Sequence, residues 1–244
     1  MKHHAGGVRG SRGSTLLESL LALLFFLIIL QVSLEFFGTA RTAFFKLEDG
    51  LSARESAEAG LERIREDVLQ AGWGLSGPIS LGLTAGIEAA ADGMVLTSLE
   101  SSTALAADAA PGAASVAVAN AGDFGPGRAV IVMDKTGGEA LTVASVTGGV
   151  LGLDRPLSRV YAASDSEIFL LRRVAYSFDA AKGTVRRKIN ASSPQPLMEG
   201  VSSFSLSVGA ADGLVEASLS IVEKPGRTYG FKVLPRNLAL ARTG

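Results

Sequence analysis

"RGSTLLESLLALLFFLIIL", residues 12–30, decides how the chain is organised. From Ser19 to Leu34 there is no charge, and Leu, Phe and Ile dominate. The 21 residues from Ser14 to Leu34 would span about 31 Å as a helix. That matches a hydrocarbon core of about 30 Å. Residues 1–13 carry Lys2, Arg9 and Arg12 and no acid. Such a basic flank predicts a cytoplasmic N-terminus, with the bulk of the chain across the membrane. Glu18 is the anomaly. A carboxylate costs about 2.5–3.5 kcal/mol at mid-bilayer, and less near an interface.

Three readings of this segment compete. A removable secretory signal would be cut near Gly38-Thr39-Ala40. Its apolar region is normally only about 7–15 residues long, without an acid at its start. A plain signal anchor explains the span and leaves Glu18 without a role. The third reading gives Glu18 a use. Gly13-Ser14-Thr15-Leu16-Leu17-Glu18 resembles the type IV prepilin signature: a short basic leader, a glycine before the cut, a Thr-Leu-Leu run and a glutamate on an unbroken apolar helix. Ser14 departs from the phenylalanine or methionine usual in that family. The resemblance implies that a prepilin peptidase cuts after Gly13 on the cytoplasmic face and methylates the new N-terminus at Ser14. Thr15, Leu16, Leu17 and Glu18 would serve peptidase recognition and assembly. It also implies that Glu18 pairs with the terminal amine of an adjacent subunit, an attraction strengthened by low dielectric and costly to leave unpaired.

The helical pattern continues past the span. Phe44, Leu47 and Leu51 form an apolar stripe that slips and resumes as Ala57, Leu61, Ile64 and Val68. These spacings fit an amphipathic helix. Arg54, Glu55, Glu58, Glu62, Arg63, Arg65, Glu66 and Asp67 are expected on its other faces. Gly72-Trp73-Gly74 and then Gly77-Pro78 are stop signals. One long helix over roughly residues 15–71 is therefore expected, in preference to a charged coiled-coil stalk. Gly38, Gly50 and Gly60 are its expected weak points. "ARESAEAGLERIREDVLQAGWG", residues 53–74, resembles the same stretch of minor pilins of the PilW type, through Arg65, Glu66, Asp67, Gln70, Ala71 and Gly72.

Residues 79–113 are rich in Ala, Ser, Gly and Leu and read as loops, with a short strand at Met94–Thr97. Beyond them, strands are expected at Ser115–Ala119, Ala129–Asp134, Leu141–Val146, Val150–Leu153, Glu167–Asp179, Thr184–Ile189, Val201–Val208, Leu214–Val222 and Tyr229–Leu234. Alternation such as Val174, Tyr176, Phe178 means antiparallel sheet with one wet face. Ala181-Lys182-Gly183 and Ala211-Asp212-Gly213 read as hairpin turns. "VAYSFDAAKGTVRRK" (174–188), "PLMEGVSSFSLSV" (196–208) and the Arg236-Asn237 pair again resemble PilW-type minor pilins.

The expected fold class is α+β. A long N-terminal helix, transmembrane in its first half, packs on an antiparallel β-sheet domain in the lollipop arrangement that the resemblance implies. A small β-subdomain is inserted. The expected division is a cleaved basic leader (1–13), a membrane or filament-core helix (14–37), its amphipathic periplasmic continuation (38–72), a loop-rich connection (73–113), the inserted β-subdomain (114–164), and the pilin-type sheet with a C-terminal tail (165–244).

Composition narrows the chemistry. The chain has 244 residues, a formal net charge of −1, no cysteine and two histidines, His3 and His4, both in the leader. No global basic field favours nucleic acid, and no cysteine site exists. Without imidazole or thiol, most acid–base and nucleophilic catalysis lacks its usual groups; no enzyme activity, cofactor or metal is expected. Several motifs read as ordinary structure. Asp134-Lys135-Thr136-Gly137 resembles the phosphorylated-aspartate motif of P-type ATPases but lacks its context, so it reads as a hairpin turn. Asn190-Ala191-Ser192 is a formal glycosylation sequon. Asp123, Asp134 and Asp154 lack the spacing of a calcium loop. Arg186-Arg187-Lys188 reads as a solvated edge that discourages strand addition, or as contact with an acidic neighbouring subunit or with DNA, though one short cluster at near-zero net charge does not carry a nucleic-acid claim.

The expected function is that of a PilW-like minor pilin, processed by prepilin peptidase and assembled through its N-terminal helix into a pilus priming or tip complex. The expected partners are the peptidase, other minor pilins and the major pilin, the inner-membrane assembly platform and membrane lipid. The expected location is the bacterial inner membrane, single-pass. A type II secretion pseudopilin of the GspJ type shares leader and architecture. A membrane-anchored periplasmic binding domain or enzyme is the alternative of another class.

Overall fold

The computed structural model describes residues 12–90, 93–209, 213–222 and 226–238. The basic leader up to Ser11, most of the Ala211-Asp212-Gly213 turn and the tail beyond Leu238 lie outside them. The fold is α+β, with every strand pairing antiparallel. The chain divides into two compact units, residues 1–51 and 52–244.

Helix α1 runs Arg12–Gln70, 59 residues, through Gly38, Gly50 and Gly60 without a break. It stops where the sequence signals. Gly72 and Gly74 take φ of +76° and +71°, the left-handed conformation that favours glycine at a helix end. The Gly72 N–H donates to Thr97 O at 2.8 Å, and the Leu99 N–H to Trp73 O at 2.9 Å. Asn237 Nδ2 donates to Leu69 O at 3.0 Å, satisfying a carbonyl of the last turn that has no partner within the helix.

Within the second unit, Ala57, Leu61, Ile64 and Val68 form the buried stripe of α1. The opposite face carries exposed pairs, Arg54–Glu58, Arg63–Glu66 and Glu62–Arg65. Such exposed pairs are screened by solvent and contribute little. The buried stripe contributes more, because apolar burial scales with the area removed from water.

A short helix α2 (Ser76–Ser80) follows, then strands β1 (Ile87–Ala90), β2 (Gly93–Ala104), β3 (Ser115–Ala117), β4 (Ala129–Asp134), β5 (Gly137–Thr147), β6 (Val150–Leu153), β7 (Glu167–Asp179), β8 (Thr184–Ile189), β9 (Gln195–Met198), β10 (Val201–Val208), β11 (Val215–Ile221) and β12 (Thr228–Val233). The first nine strands form one sheet in the order β1-β2-β7-β4-β5-β6-β3, with β8 on β7 and β9 on β8. The last three form a second sheet, β10-β11-β12.

Strand β7 organises the larger sheet. One edge pairs with β2 along its length. The other edge pairs with β4 at Glu167–Leu170 and with β8 at Val174–Asp179. On one face, Ile168 and Leu170 join a core built from β3–β6, while Val174 and Tyr176 join the core under α1. Arg172 sits between these two sets on the same face. The second core joins residues between Val116 and Tyr161 to Leu105, Ala109, Ile168 and Leu170, so β7 serves both cores. Strand β4 requires this: Val130, Ile131 and Val132 are all fully buried, so both of its faces and both of its edges need cover.

Some elements differ from expectation. The stretch 73–113 contains α2, β1 and a β2 that extends well past Thr97. Strand β9 was not expected, and it makes β8 an interior strand. The solvated-edge reading of Arg186-Arg187-Lys188 is therefore corrected.

Candidate processing and assembly site

Gly13, Ser14 and Thr15 lie in the first turns of α1; their side chains are outside the described part of the molecule. Leu16, Leu17 and Glu18 are exposed. Ser14 and Glu18 stand four residues apart, on one helical face, about 6 Å along the axis. Every large apolar residue from Leu16 to Phe37 is exposed, from 43% at Leu30 to 73% at Phe37. The helix is long and apolar enough to cross a membrane, and none of its most apolar stretch is buried by the chain itself. Thr39 Oγ1 and Thr42 Oγ1 donate to the carbonyls of Glu35 and Gly38 at 3.0 and 2.9 Å. Their hydroxyls stay satisfied on the helix surface without a partner helix. Arg41 lies over the Phe45 ring at 5.4 Å.

A second cluster holds the other half of α1. Asp67, expected on the wet face, is 3% exposed. Its Oδ2 accepts from Tyr176 OH at 2.6 Å and from Arg187 Nε at 2.8 Å. Its Oδ1 accepts from Arg172 Nη2 at 3.3 Å, and Arg172 Nη1 also donates to Gln70 Oε1 at 2.9 Å. Burial and the neighbouring Asp67 carboxylate push the Tyr176 hydroxyl well above its ordinary value. Burial opposes the charge of Arg187, but its hydrogen bond and charge attraction to Asp67 outweigh that and raise it. Three donors from two strands meet the carboxylate, so the cluster ties helix to sheet. Arg187, the middle of the basic run, points inward to this tie.

The remaining candidates serve turns. Asp134 Oδ1 accepts from Thr136 N and Oγ1, both at 2.7 Å, and from Gly137 N at 3.0 Å. Its Oδ2 pairs with Arg159 at 2.8 Å. The Thr136 hydroxyl, with the turn amides and Arg159, holds this carboxyl below the usual range even though burial opposes it. Asp134-Lys135-Thr136-Gly137 is thus the β4–β5 hairpin turn. Asp154 Oδ1 accepts from Thr142 N at 2.9 Å. Asn190, at φ 51°, exchanges hydrogen bonds with the backbone of Arg173. Among the described residues no group of three His, Cys, Asp or Glu could hold a metal ion.

Sequence reasoning missed the Asp67 tie. The available signal was position: Asp67 lies between Ile64 and Val68 of the stripe, three residues from one and next to the other. Its partner Arg187 lies 120 residues away, at a distance no local pattern reveals.

No family model matches the chain, and no curated protein does. Among solved structures, it is similar to the Gp54 tailspike of Acinetobacter baumannii bacteriophage AP22, solved with a capsular saccharide, at 22% identity and a TM-score of 0.28. The match covers 32% of this chain and 15% of that one. The Pseudomonas phage phi297 tailspike gp61 matches at 26% identity and a TM-score of 0.27, over 30% and 14% of the two chains. The tailspike gp49 of Pseudomonas phage LKA1 gives 18% and 0.26, over 30% and 15%. The chain thus spans about 15% of the length of the tailspikes it matches, and these values fall short of a shared fold.

Proposed function

We propose that this chain is the precursor of a minor pilin of the PilW kind. The observation that carries the reading is Gly13-Ser14-Thr15-Leu16-Leu17-Glu18 leading directly into an apolar helix whose surface the chain leaves bare. In this reading the basic leader stays cytoplasmic, the apolar half of α1 sits in the inner membrane, and the β-rich unit is periplasmic. Prepilin peptidase hydrolyses the Gly13–Ser14 bond and methylates the amine of Ser14. The processed subunit joins other minor pilins on the assembly platform, at a site that primes or tips the pilus.

Physical chemistry supports each role. A bare apolar helix is stable in lipid or among other apolar helices, and costly in water. Glu18 would be expensive in either place as a lone charge. A subunit amine at Ser14 offers the matching cation, and the pair sets how far each subunit advances from the bilayer. The lollipop arrangement belongs to the same proposal.

The test is Glu18→Ala in cells that make the other pilus components. The variant is expected to insert in the membrane at wild-type levels and to leave assembled complexes at least about tenfold depleted of this subunit, as befits loss of a low-dielectric ion pair. Incorporation at the wild-type level would overturn the role given to Glu18.

A further inference from the structure

The outer face of the larger sheet, away from α1, carries a trough. Met94, Leu96, Val174 and Tyr176 face the helix; Val95, Thr97, Arg173 and Ala175 alternate to the opposite face. Two clefts of about 360 and 280 Å³ adjoin there and share Ala129, Thr142 and Arg173. The smaller one is lined by the small residues Gly127, Ala129 and Ala175, with Val95 opposite Ala175. Large apolar residues cover the same sheet face further along, where Leu75 and its neighbours pack on Ile131 and Leu171. The chain covers one part of this face and leaves the other as a channel.

The polar groups of the smaller cleft are one-sided. Arg173, Lys188, Asn190 and Thr142 line it, with no acid among the lining residues. Three acids stand nearby, each with a partner. Glu100 pairs with Arg128 and accepts from Asn190 Nδ2 at 3.4 Å, Asp154 holds the Thr142 amide, and Glu88 pairs with Arg173 at 3.7 Å, with both side chains nearly half exposed. Lys188 has no ion-pair partner among the described residues. Register explains the pairing of cations: Lys188 stands opposite Ala175 on neighbouring strands, so its ammonium and the Arg173 guanidinium flank one small-residue gap. The basic run 186–188 is thus split, with Arg187 inside and Lys188 in the trough.

We propose that this trough is a docking site for an extended, carboxylate-bearing segment of a partner protein, with an acidic side chain held between Arg173 and Lys188. Thr142 lies beside it, Asn190 being held by the Arg173 amide and Glu100, and the small residues Gly127, Ala129 and Ala175 let a backbone approach closely. Charge complementarity selects the occupant. Arg155 of the larger cleft donates to Ala140 O; three cations, with Glu88 and Asp154 among them, are too few to track a phosphate backbone, whose binding rests on many phosphate contacts. A single carboxylate matches them. The identification of the partner as a fellow subunit rests on the assembly reading above; the docking chemistry does not.

The test titrates the detergent-solubilised full chain with acetyl-Gly-Glu-Gly-Glu-Gly-amide and with its glutamine counterpart. Saturable binding of the glutamate peptide is expected, weaker by about tenfold for the glutamine peptide. Arg173→Ala and Lys188→Glu are each expected to weaken the glutamate peptide by about tenfold, with circular dichroism and thermal unfolding unchanged. Equal binding of the two peptides, indifference to both variants, or no saturable binding would overturn the proposal. Tighter binding of a DNA oligonucleotide, lost in the same variants, would replace the partner protein with nucleic acid. Processing after Gly13, read by mass on the same preparation, separates failure of the trough from failure of the pilin reading.

Discussion

Asp67 shows how much one residue can hold. Its carboxylate is buried on the apolar stripe of α1 and receives Tyr176, Arg187 and Arg172 from two strands of the sheet. Removing one partner of a buried charge cluster leaves the others uncompensated, at about 3–5 kcal/mol. Asp67→Ala is expected to lose stability of that size in denaturant unfolding of the solubilised protein, against less than about 1 kcal/mol for Glu58→Ala on the exposed face. Similar losses for the two variants would contradict the tie. Asp134 gives a pH signature. Its folded pKa is depressed, so its contribution is present above the unfolded value of about 3.9. The contribution is lost as pH falls through the lower folded value. The stability difference between wild type and Asp134→Asn is therefore expected to be flat above about pH 5 and to shrink below about pH 4. Parallel curves down to lower pH would count against the hairpin role of Asp134.

At the scale of elements, Gly60 reverses its expected role. It was expected as a place where α1 could bend. The helix continues through it, and a Cβ built there would clash with the Met198 side chain at Cγ and Sδ. Glycine gives that side chain of β9 its room against the helix. Gly60→Ala gains helix propensity of up to about 1 kcal/mol but overpacks a buried methionine, at about 1–3 kcal/mol. A double-mutant cycle with Met198→Ala is expected to show coupling of at least about 0.5 kcal/mol, with the second change relieving the first. Additive effects would contradict the close approach. Why some elements were legible follows from the same local physics. Strands β4, β6, β7, β8 and β10 fall on their expected bounds, because β-branched or alternating residues end at clear turn signals. The far half of β2 was hidden by Ser98, Glu100, Ser101 and Ser102 and by a register shift between Leu99 and Ser101, which breaks alternation. Strand β9 was hidden by Pro196, which only an irregular or edge position tolerates.

For the whole molecule, the two units pose different physical problems. The described residues of the unit 52–244 build three apolar cores of their own. In the first unit, by contrast, the described large apolar residues from Leu16 to Phe37 are exposed. That contrast was legible from the uncharged run 19–34 alone, as was the oddity of Glu18, since both are local. In the proposed reading lipid and neighbouring subunits cover the helix, and the sequence speaks to that only through the prepilin resemblance of residues 13–18. The most direct test of the account is the intact mass and N-terminal sequence of the protein extracted from membranes, in cells with and without prepilin peptidase. The account predicts a chain beginning at N-methylated Ser14 only when the peptidase is present. A chain beginning at Met1 in both, or at Arg41 after a secretory cut, would contradict it.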